Sequence, residues 1–431
     1  MIPGGPDAHE SVPARDAWRR AVSAHGAGPV AARVADAMRG GGVRTVVLVV
    51  FSQVVHWLTV AAIPLLLPLI RADLQISFTQ AGLLSVAATL SYTLMQIPAG
   101  YLADRFGPGR PFFVGLFGWS AMCLAFGMVH AYWLALLTLL AAGGFRALLF
   151  APGLALLASW FPPERRATAM SLFMLGGFTG SIVLALAGPP LADRYGWRAA
   201  FIAFAALGIG AALLYRAFAR ERPRAQPLRQ LAPAEVLQLG RYPIMWVCSG
   251  LQFVRFTMVT SFNFWLPSLL VADRGLSVQA AGLVMAMSAA LMAPSSTLGG
   301  YVSDRLRNPP LVIGSALAVL ACTSALLAVV ESIPLLLLVI AVTAVFLQFY
   351  FGPLFVVPME ALGPRFAGTA TGFANLFANI GGLGAAYALG VVKDQSGSFA
   401  WGFAGVSAVC LAGVALAVVL ARMRGRLLRF S

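Results

Sequence analysis

The sequence predicts an all-α, polytopic membrane protein with twelve transmembrane helices in two pseudo-symmetric six-helix halves. Hydrophobic residues make up 60% of its 431 residues and charged residues only 10%, whereas a soluble domain carries about 25% charged residues. Apolar runs of about 18 residues or more recur along the chain, and each is long enough to cross a hydrocarbon core of about 30 Å. The first six runs also resemble the last six, which predicts an internal repeat.

The positive charge is distributed unevenly along this pattern. The chain has 30 Lys and Arg residues against 15 Asp and Glu residues. Most of the arginines fall in the two tails, the central polar stretch and the short loops on the same side. The few basic residues on the opposite side are Arg71, Arg194, Arg198, Arg274 and Lys393. Positive charge is retained on the cytoplasmic side, so we expect a cell inner membrane protein with both termini in the cytoplasm. The basic composition then reflects topology in a lipid bilayer, and no nucleic-acid partner is expected.

The polar stretches divide the chain into five segments. Residues 1–43 are predicted to be a cytoplasmic tail, 44–219 the first six-helix bundle, 220–241 an Arg- and Pro-rich cytoplasmic linker, 242–421 the second bundle and 422–431 a short cytoplasmic tail. The first apolar run is too long for the apolar region of a signal peptide. This run is therefore predicted to be the first transmembrane helix.

The repeat is clearest at the ends of helices two and eight. Residues 100–105 read GYLADR and residues 300–305 read GYVSDR. The same offset of 200 pairs the Ala-Gly-Leu triplets at 81–83 and 281–283. The offset is 199 near the start of each half and 201 in helices four and ten. Repeats of this kind are typical of transporters that bind substrate between two halves near the midplane.

The loop after helix two carries a family resemblance. Residues 100–110 follow the pattern GxLxDRxGxxR, which resembles the signature loop of the major facilitator superfamily. The stretches at 160–165 and 196–198 also resemble features of that family. The resemblance covers nearly the whole chain after the N-terminal tail, and it implies a transporter that works mostly as a monomer and without a cofactor.

This loop also holds charges at a helix end. Asp104 lies close in sequence to Arg105 and Arg110, and an ion pair there can hold two helices together. In the family the loop latches the conformation that is open to the outside. The resemblance therefore implies a gating role for these three residues, and for Asp304 and Arg305 in the partial copy. The alternative is a solvated turn that only sets topology.

Three basic residues lie near the centres of predicted helices. They are Arg146 in helix four, Arg255 in helix seven and His56 in helix one. An arginine at the bilayer centre costs about 2.5–3.5 kcal/mol on the insertion scale, so such residues usually face a cavity and serve function. No predicted helix carries a carboxylate near its centre. A substrate carboxylate or sulfonate would pair with the guanidinium groups through parallel hydrogen bonds. The alternatives are static helix contacts for the arginines and a packed core histidine for His56.

Neighbouring polar residues complete the predicted substrate site. Gln53 and Gln252 precede His56 and Arg255 by three residues at matching positions of the repeat, so each pair shares one helix face. Asn375 and Asn379 share a face of helix eleven. The predicted substrate-binding set is therefore Arg146, Arg255, His56, Gln53, Gln252, Asn375 and Asn379. Four aromatic residues could shape the pocket, although such side chains are more often packing: Trp57, Phe150, Trp265 and Tyr350.

Arginines in helices four and seven, with a basic residue in helix one, resemble the organic anion:cation symporter branch, which includes phthalate permeases. This resemblance implies proton-coupled transport of a small organic anion. His56 is the best candidate to carry the proton, because free imidazole titrates at about pH 6.5. The chain departs from the branch in three ways. His56 stands where arginine is usual, Phe150 stands where glycine is common, and helices one and four lack an acid.

Two other functional classes fit the sequence less well. The first is drug or metabolite efflux by proton antiport, for which the expected acid in helix one and Gly-Pro motif within helix five are missing. The second is a membrane-embedded enzyme or receptor. The sequence shows no clustered acids, no metal-ligand set and no nucleophile with a base, so neither an enzyme nor a metal site is predicted.

Overall fold

The computed structural model describes residues 42–161, 166–220, 239–354, 357 and 367–427. Within these residues the chain is helical with short turns and contains no strand. Nearly all of the predicted N-terminal tail (1–43) and most of the predicted linker (220–241) lie outside the described residues. The last helix continues to Leu427, beyond the predicted start of the C-terminal tail at residue 422.

The first half contributes six helices. The first four are α1 (Val43–Leu74), α2 (Phe78–Phe106), α3 (Gly109–Gly127) and α4 (Tyr132–Ser159). One long helix, Arg166–Phe218, bends at Gly196 into α5 (166–195) and α6 (197–218). Gly196 has a φ of 81°, which glycine adopts without the strain that a side chain would cause. The bend therefore lets one helical segment cross the protein twice.

The second half repeats this arrangement. Helix α7 has three consecutive parts, Pro243–Thr260, a π-helical turn at Ser261–Trp265, and Leu266–Ala272. The remaining helices are α8 (Val278–Leu306), α9 (Pro309–Val329), α10 (Ile333–Phe349), α11 (Ala367–Ser396) and α12 (Ala400–Leu427).

The described residues contain nine helices that are long and apolar enough to cross a membrane. One of the nine, Ala169–Phe218, contains both α5 and α6. Helix α2 and the three-part α7 supply the other two crossings. The prediction of an all-α protein with twelve helices in two sets of six is confirmed.

The helices define two ends of the bundle. The proximal end holds the start of α1 and the end of α6, where the backbone N–H of Arg220 donates to the Thr45 hydroxyl at 3.0 Å. The distal end holds the α1–α2 and α11–α12 turns. There Arg198 at the start of α6 forms an ion pair of 2.5 Å with Asp73 at the end of α1. These contacts join α1 and α6 at both ends of the bundle.

The two halves meet at the distal end through contacts that follow the internal repeat. Gly82 in α2 lies so close to α11 that an added Cβ atom would be 2.4 Å from the Ala386 carbonyl oxygen. A Cβ atom added to Gly282 in α8 would likewise be 2.4 Å from the Ala185 carbonyl oxygen in α5. Gly82 and Gly282 are 200 residues apart, and Ala185 and Ala386 are 201 apart. Equivalent residues of the predicted repeat therefore make equivalent contacts between the halves.

Small residues also bring helices close within each half. A Cβ atom added to Gly180 of α5 would lie 2.2 Å from the Val54 carbonyl oxygen of α1. In the second half, a Cβ atom added to Gly381 of α11 would lie 2.4 Å from the Phe253 carbonyl oxygen of α7. Membrane helices use glycine at such contacts because it lets backbones approach closely. The tight pairs α1–α5 and α7–α11 position the central residues of α1 and α7.

Candidate functional site

Arg146 lies at the middle of α4 and is half-buried. Its guanidinium carbon is 4.9 Å from the ring centre of Tyr92 and 5.9 Å from those of Trp57 and Trp119. Aromatic faces attract cations at these distances. Among the described residues, no carboxylate forms an ion pair with Arg146. The aromatic rings hold the cation in place but leave its charge uncompensated.

His56 lies beside Arg146, against the same two indole rings. Its ring centre is 6.3 Å from that of Trp57 and 5.1 Å from that of Trp119, both edge-on. His56 is only 5% exposed, and its Nδ1 atom has no hydrogen-bond partner in the described part of the chain. The indole N–H of Trp119 donates to the Thr59 hydroxyl at 2.7 Å, which donates in turn to the His56 carbonyl oxygen at 2.9 Å. This chain of hydrogen bonds orients Trp119 between the two basic side chains.

The structure therefore brings two predicted site residues together, His56 from α1 and Arg146 from α4. We call the group His56, Trp57, Tyr92, Trp119 and Arg146 the N-half cluster. The sequence pattern missed Tyr92 and Trp119, because aromatic residues in membrane helices are usual packing residues. Only their closeness to a charged side chain distinguishes them.

Arg255 occupies the equivalent level of α7 and is only 5% exposed. One guanidinium nitrogen donates to the Gln252 side-chain oxygen at 3.5 Å, which is at the limit of a hydrogen bond. The guanidinium carbon is 4.6 Å from the ring centre of Phe351 and 5.2 Å from that of Phe256. Its Nε atom has no partner among the described residues. The contact between Gln252 and Arg255 is therefore weak, and both residues remain predicted members of the substrate site.

Tyr350 follows α10 and lies next to Arg255. Its side chain is fully buried, its phenol and the guanidinium interact electrostatically, and its hydroxyl has no hydrogen-bond partner in the described residues. We call Gln252, Arg255, Tyr350 and Phe351 the C-half cluster. From the sequence, Tyr350 was only one of several possible pocket-shaping aromatics, because sequence alone does not show whether a hydroxyl is paired.

The other predicted site residues have a less direct relation to the arginines. Gln53 is buried against Gly176 of α5. On α11, Asn379 is buried and Asn375 is half-buried. Neither asparagine forms a hydrogen bond with Arg146 or Arg255 in the described part of the protein. These three residues remain predicted members of the site.

Trp265 lies away from both clusters. It ends the π-helical turn of α7, and its indole N–H donates to the Ala386 carbonyl oxygen of α11 at 3.2 Å. Its side chain is fully buried at the distal end. Trp265 therefore packs within the distal contact of the halves, and no feature of the sequence predicted the π-helical turn, a feature that often marks functional sites.

The predicted gating residues lie at the proximal end. The side chain of Asp104 is outside the described residues. Arg105 is exposed and donates to the Tyr101 hydroxyl at 3.2 Å. Three others are exposed and form no ion pair among the described residues: Arg110, Asp304 and Arg305. Their gating role therefore stays a prediction.

Comparison with known proteins identifies the relatives of this chain. Residues 49–386 match the family described as Major Facilitator Superfamily. The hexuronate transporter of Bacillus subtilis (strain 168) is 26% identical over 385 residues, which cover 83% of this chain and 90% of that protein. A probable sulfoacetate transporter of Cupriavidus necator is 28% identical over 365 residues, which cover 77% of this chain and 83% of that protein.

A solved structure supports the fold. It is that of a bacterial homolog to the human lysosomal transporter Spinster, in an inward-facing and unoccupied conformation. The TM-score is 0.73 at 21% sequence identity, and the match covers 89% of this chain and 96% of that one. With twelve helices in two related halves and a family match over most of its length, the chain belongs to the Major Facilitator Superfamily and is a multi-pass membrane transporter, not an enzyme.

Proposed function

We propose that this transporter carries a small organic anion, a carboxylate or a sulfonate, across the cell inner membrane. The observation that carries the proposal is the pair Arg146 and Arg255. Both lie in the middle of transmembrane helices, and neither has a carboxylate partner in the described part of the chain. Removing one partner of a buried ion pair is strongly destabilising, so a bound anion would stabilise both sites. The relatives named as hexuronate and sulfoacetate transporters support this substrate class.

His56 is proposed to bind a co-transported proton. It shares the walls of the N-half cluster with Arg146, so a second positive charge on His56 is unfavourable while the cluster is empty. An anion bound at Arg146 would offset that repulsion and favour the protonated imidazole. Binding of the anion and the proton would then be coupled, as symport requires.

Alternating access between the halves would move the two ligands. The uneven distribution of arginine supports a cytoplasmic position for both termini, which makes the distal end the outer end. The distal contacts Gly82–Ala386 and Gly282–Ala185 close that end, as expected for an inward-facing conformation. Release of these contacts, with closure at the proximal end near Asp104 and Arg110, would give the outward-facing state. We expect the protein to work as a monomer.

A thermal-shift screen of the purified protein tests the substrate class. The panel contains D-glucuronate, galactarate, sulfoacetate and a set of cationic drugs. A ligand at a hundredfold excess over its dissociation constant adds about 2.7 kcal/mol to the stability of the native state. We expect an organic anion to stabilise the native protein but neither Arg146→Gln nor Arg255→Gln. The exposed Arg216 supplies the matched control, because Arg216→Gln makes the same chemical change outside the clusters.

The opposite result has a clear meaning. If cationic drugs stabilise all four proteins equally and no anion stabilises any of them, the two central arginines are structural. The proton-antiport efflux hypothesis would then replace anion uptake.

A further inference from the structure

The C-half cluster contains two buried polar groups that lack hydrogen-bond partners. They are the Tyr350 hydroxyl and the Nε atom of Arg255, and both are unpaired among the described residues. Tyr350 is fully buried and Arg255 is 5% exposed. A buried polar group without a partner destabilises a protein by about 1–3 kcal/mol, and a buried charge costs more. Two such groups side by side indicate a missing acceptor.

The position of the two groups is set by packing. The Phe351 ring, next to Tyr350 in the chain, has its centre 4.6 Å from the Arg255 guanidinium carbon. This contact fixes the end of α10 against the middle of α7. The phenol and the guanidinium are close enough to interact electrostatically, yet no hydrogen bond joins them in this structure. Both side chains therefore have a hydrogen available for a third group.

The internal repeat shows that packing alone does not need the hydroxyl. At the offset of 201 that relates α4 to α10, the equivalent of Tyr350 is Leu149. Leu149 is also buried, at 2% exposure, and it fills its place without a polar atom. The hydroxyl therefore occurs only at Tyr350, the one of the two equivalent positions that lies next to Arg255.

The chemistry of the two donors selects the ligand. A guanidinium donates through several N–H groups and accepts nothing, and a phenol adds one O–H donor. A water molecule could accept these hydrogen bonds but would leave the positive charge uncompensated. A carboxylate or sulfonate supplies several acceptor oxygens together with the opposite charge.

We propose that Tyr350 is a substrate-binding residue whose hydroxyl donates to the same acidic group of the substrate that Arg255 binds. This inference rests on the proposed transport of an organic anion and extends it to a named residue outside the predicted site. Tyr350 and Arg255 would then form one subsite for an acidic group in the second half. The aromatic-lined Arg146 would form a separate subsite in the first half.

Tyr350→Phe tests this directly, because it removes the hydroxyl and keeps the ring. The probes are D-glucuronate, galactarate and sulfoacetate, and the measurements are the melting temperature without ligand and the dissociation constant for each anion. We expect the variant to melt at or above the native temperature without ligand, since no hydrogen bond is lost. We expect affinity for the tightest-binding anion to fall about tenfold, the effect of one hydrogen bond to a charged group.

Two further variants sharpen the result. Tyr387 is exposed on α11, and Tyr387→Phe makes the same chemical change away from the site, so its affinity should stay at the native value. In a double-mutant cycle with Arg255→Lys, which keeps a positive charge so that binding stays measurable, the effects of the two substitutions should not add. Two groups that hold the same ligand atoms are energetically coupled.

Three outcomes would overturn the proposal. Native anion affinity in Tyr350→Phe would show that the hydroxyl does not touch the substrate. A lower melting temperature with unchanged affinity would show that the hydroxyl is held by water or protein. If no anion binds even the native protein, the proposed function fails as well, which distinguishes that failure from one confined to Tyr350.

Discussion

Asp394 of α11 accepts hydrogen bonds from Thr79 of α2, across the boundary between the two halves. One carboxylate oxygen accepts from the Thr79 hydroxyl at 2.6 Å and from its backbone N–H at 2.7 Å. The other accepts from the backbone N–H of Phe78 at 3.0 Å. Asp394 thus caps the first turn of a helix that belongs to the other half. A carboxylate at a helix N-terminus satisfies free N–H groups and interacts favourably with the helix dipole.

Replacing Asp394 by Ala should weaken the closure of the distal end, because alanine has no side-chain acceptor for the N–H groups of Phe78 and Thr79. A helix cap is worth about 0.5–2 kcal/mol, so we expect the ratio of distal-open to distal-closed molecules to rise by about tenfold. Spin labels on Ala72→Cys and Ala272→Cys, at matching positions of the two halves, would report this as a longer distance. The exposed Cys322 is replaced by Ser in this background.

The repeat supplies the control for this experiment. Asp193 is the equivalent of Asp394 at the offset of 201, but it is exposed and forms no hydrogen bond or ion pair among the described residues. Asp193→Ala should leave the distance distribution unchanged. Equal shifts in the two variants would show that net charge, and not the cap, sets the equilibrium.

The two distal glycines should be intolerant of any side chain. A Cβ atom at Gly82 or Gly282 would lie 2.4 Å from a carbonyl oxygen of the opposite half, which is well inside van der Waals contact. Gly82→Ala and Gly282→Ala should therefore hold the distal end apart and reduce anion uptake into proteoliposomes by about tenfold, since about 1.4 kcal/mol of lost closure is enough.

Gly210 in α6 and Gly405 in α12 lie away from the distal contact, and nothing stands within 4 Å of a Cβ atom at either position. Gly210→Ala and Gly405→Ala should keep native uptake, because alanine is the better helix former. A similar loss of uptake in these variants would contradict the steric explanation.

Much of the fold follows from the sequence for a simple physical reason. A bilayer requires long apolar helices with internally paired backbones, so the crossings could be recognised from composition alone. His56 and Arg146 could be predicted as members of the candidate site because charge is rare in such segments. The same rule found Arg255.

The parts of the site that were missed depend on distances between helices. Trp119 and Tyr92 come from α3 and α2, and no spacing within one helix relates them to Arg146 on α4. The unpaired hydroxyl of Tyr350 is a property of its surroundings in three dimensions. The cap at Asp394 joins residues more than 300 positions apart in the chain, where sequence periodicity carries no information.

The hydrogen bond between Trp119 and Thr59 should stabilise the N-half cluster. Thr59→Val keeps the shape of the side chain but leaves the buried indole N–H of Trp119 without its acceptor. We expect a loss of about 1–3 kcal/mol, the cost of a buried unpaired donor, measured by thermal unfolding in detergent. Thr138→Val is the control, because that half-buried hydroxyl donates only to its own helix. Equal losses in both variants would show that the bond between Trp119 and Thr59 adds no stability of its own.

Anion binding should be accompanied by proton uptake at His56. The charged group that interacts with His56 is Arg146 on α4. The buried thiol of Cys123 on α3 interacts in turn with Arg146 and with Thr59. Before the anion binds, the guanidinium disfavours a second positive charge on the imidazole. After binding, the anion offsets the guanidinium charge, and the imidazole takes up a proton more readily. Anion binding is therefore expected to cause proton uptake. Because coupling is reciprocal, acidification should tighten anion binding.

Calorimetry of anion binding in buffers with different ionisation enthalpies near pH 7 would count these protons. We expect uptake by the native protein and none by His56→Gln, which removes the titrating group but keeps a polar side chain. His130 is exposed at the distal end, and His130→Gln should behave as the native protein does. Unchanged proton uptake in His56→Gln would show that another group carries the proton. In His56→Gln, the rate of anion uptake into proteoliposomes should also lose its dependence on pH between about 5 and 8, the range in which histidine titrates.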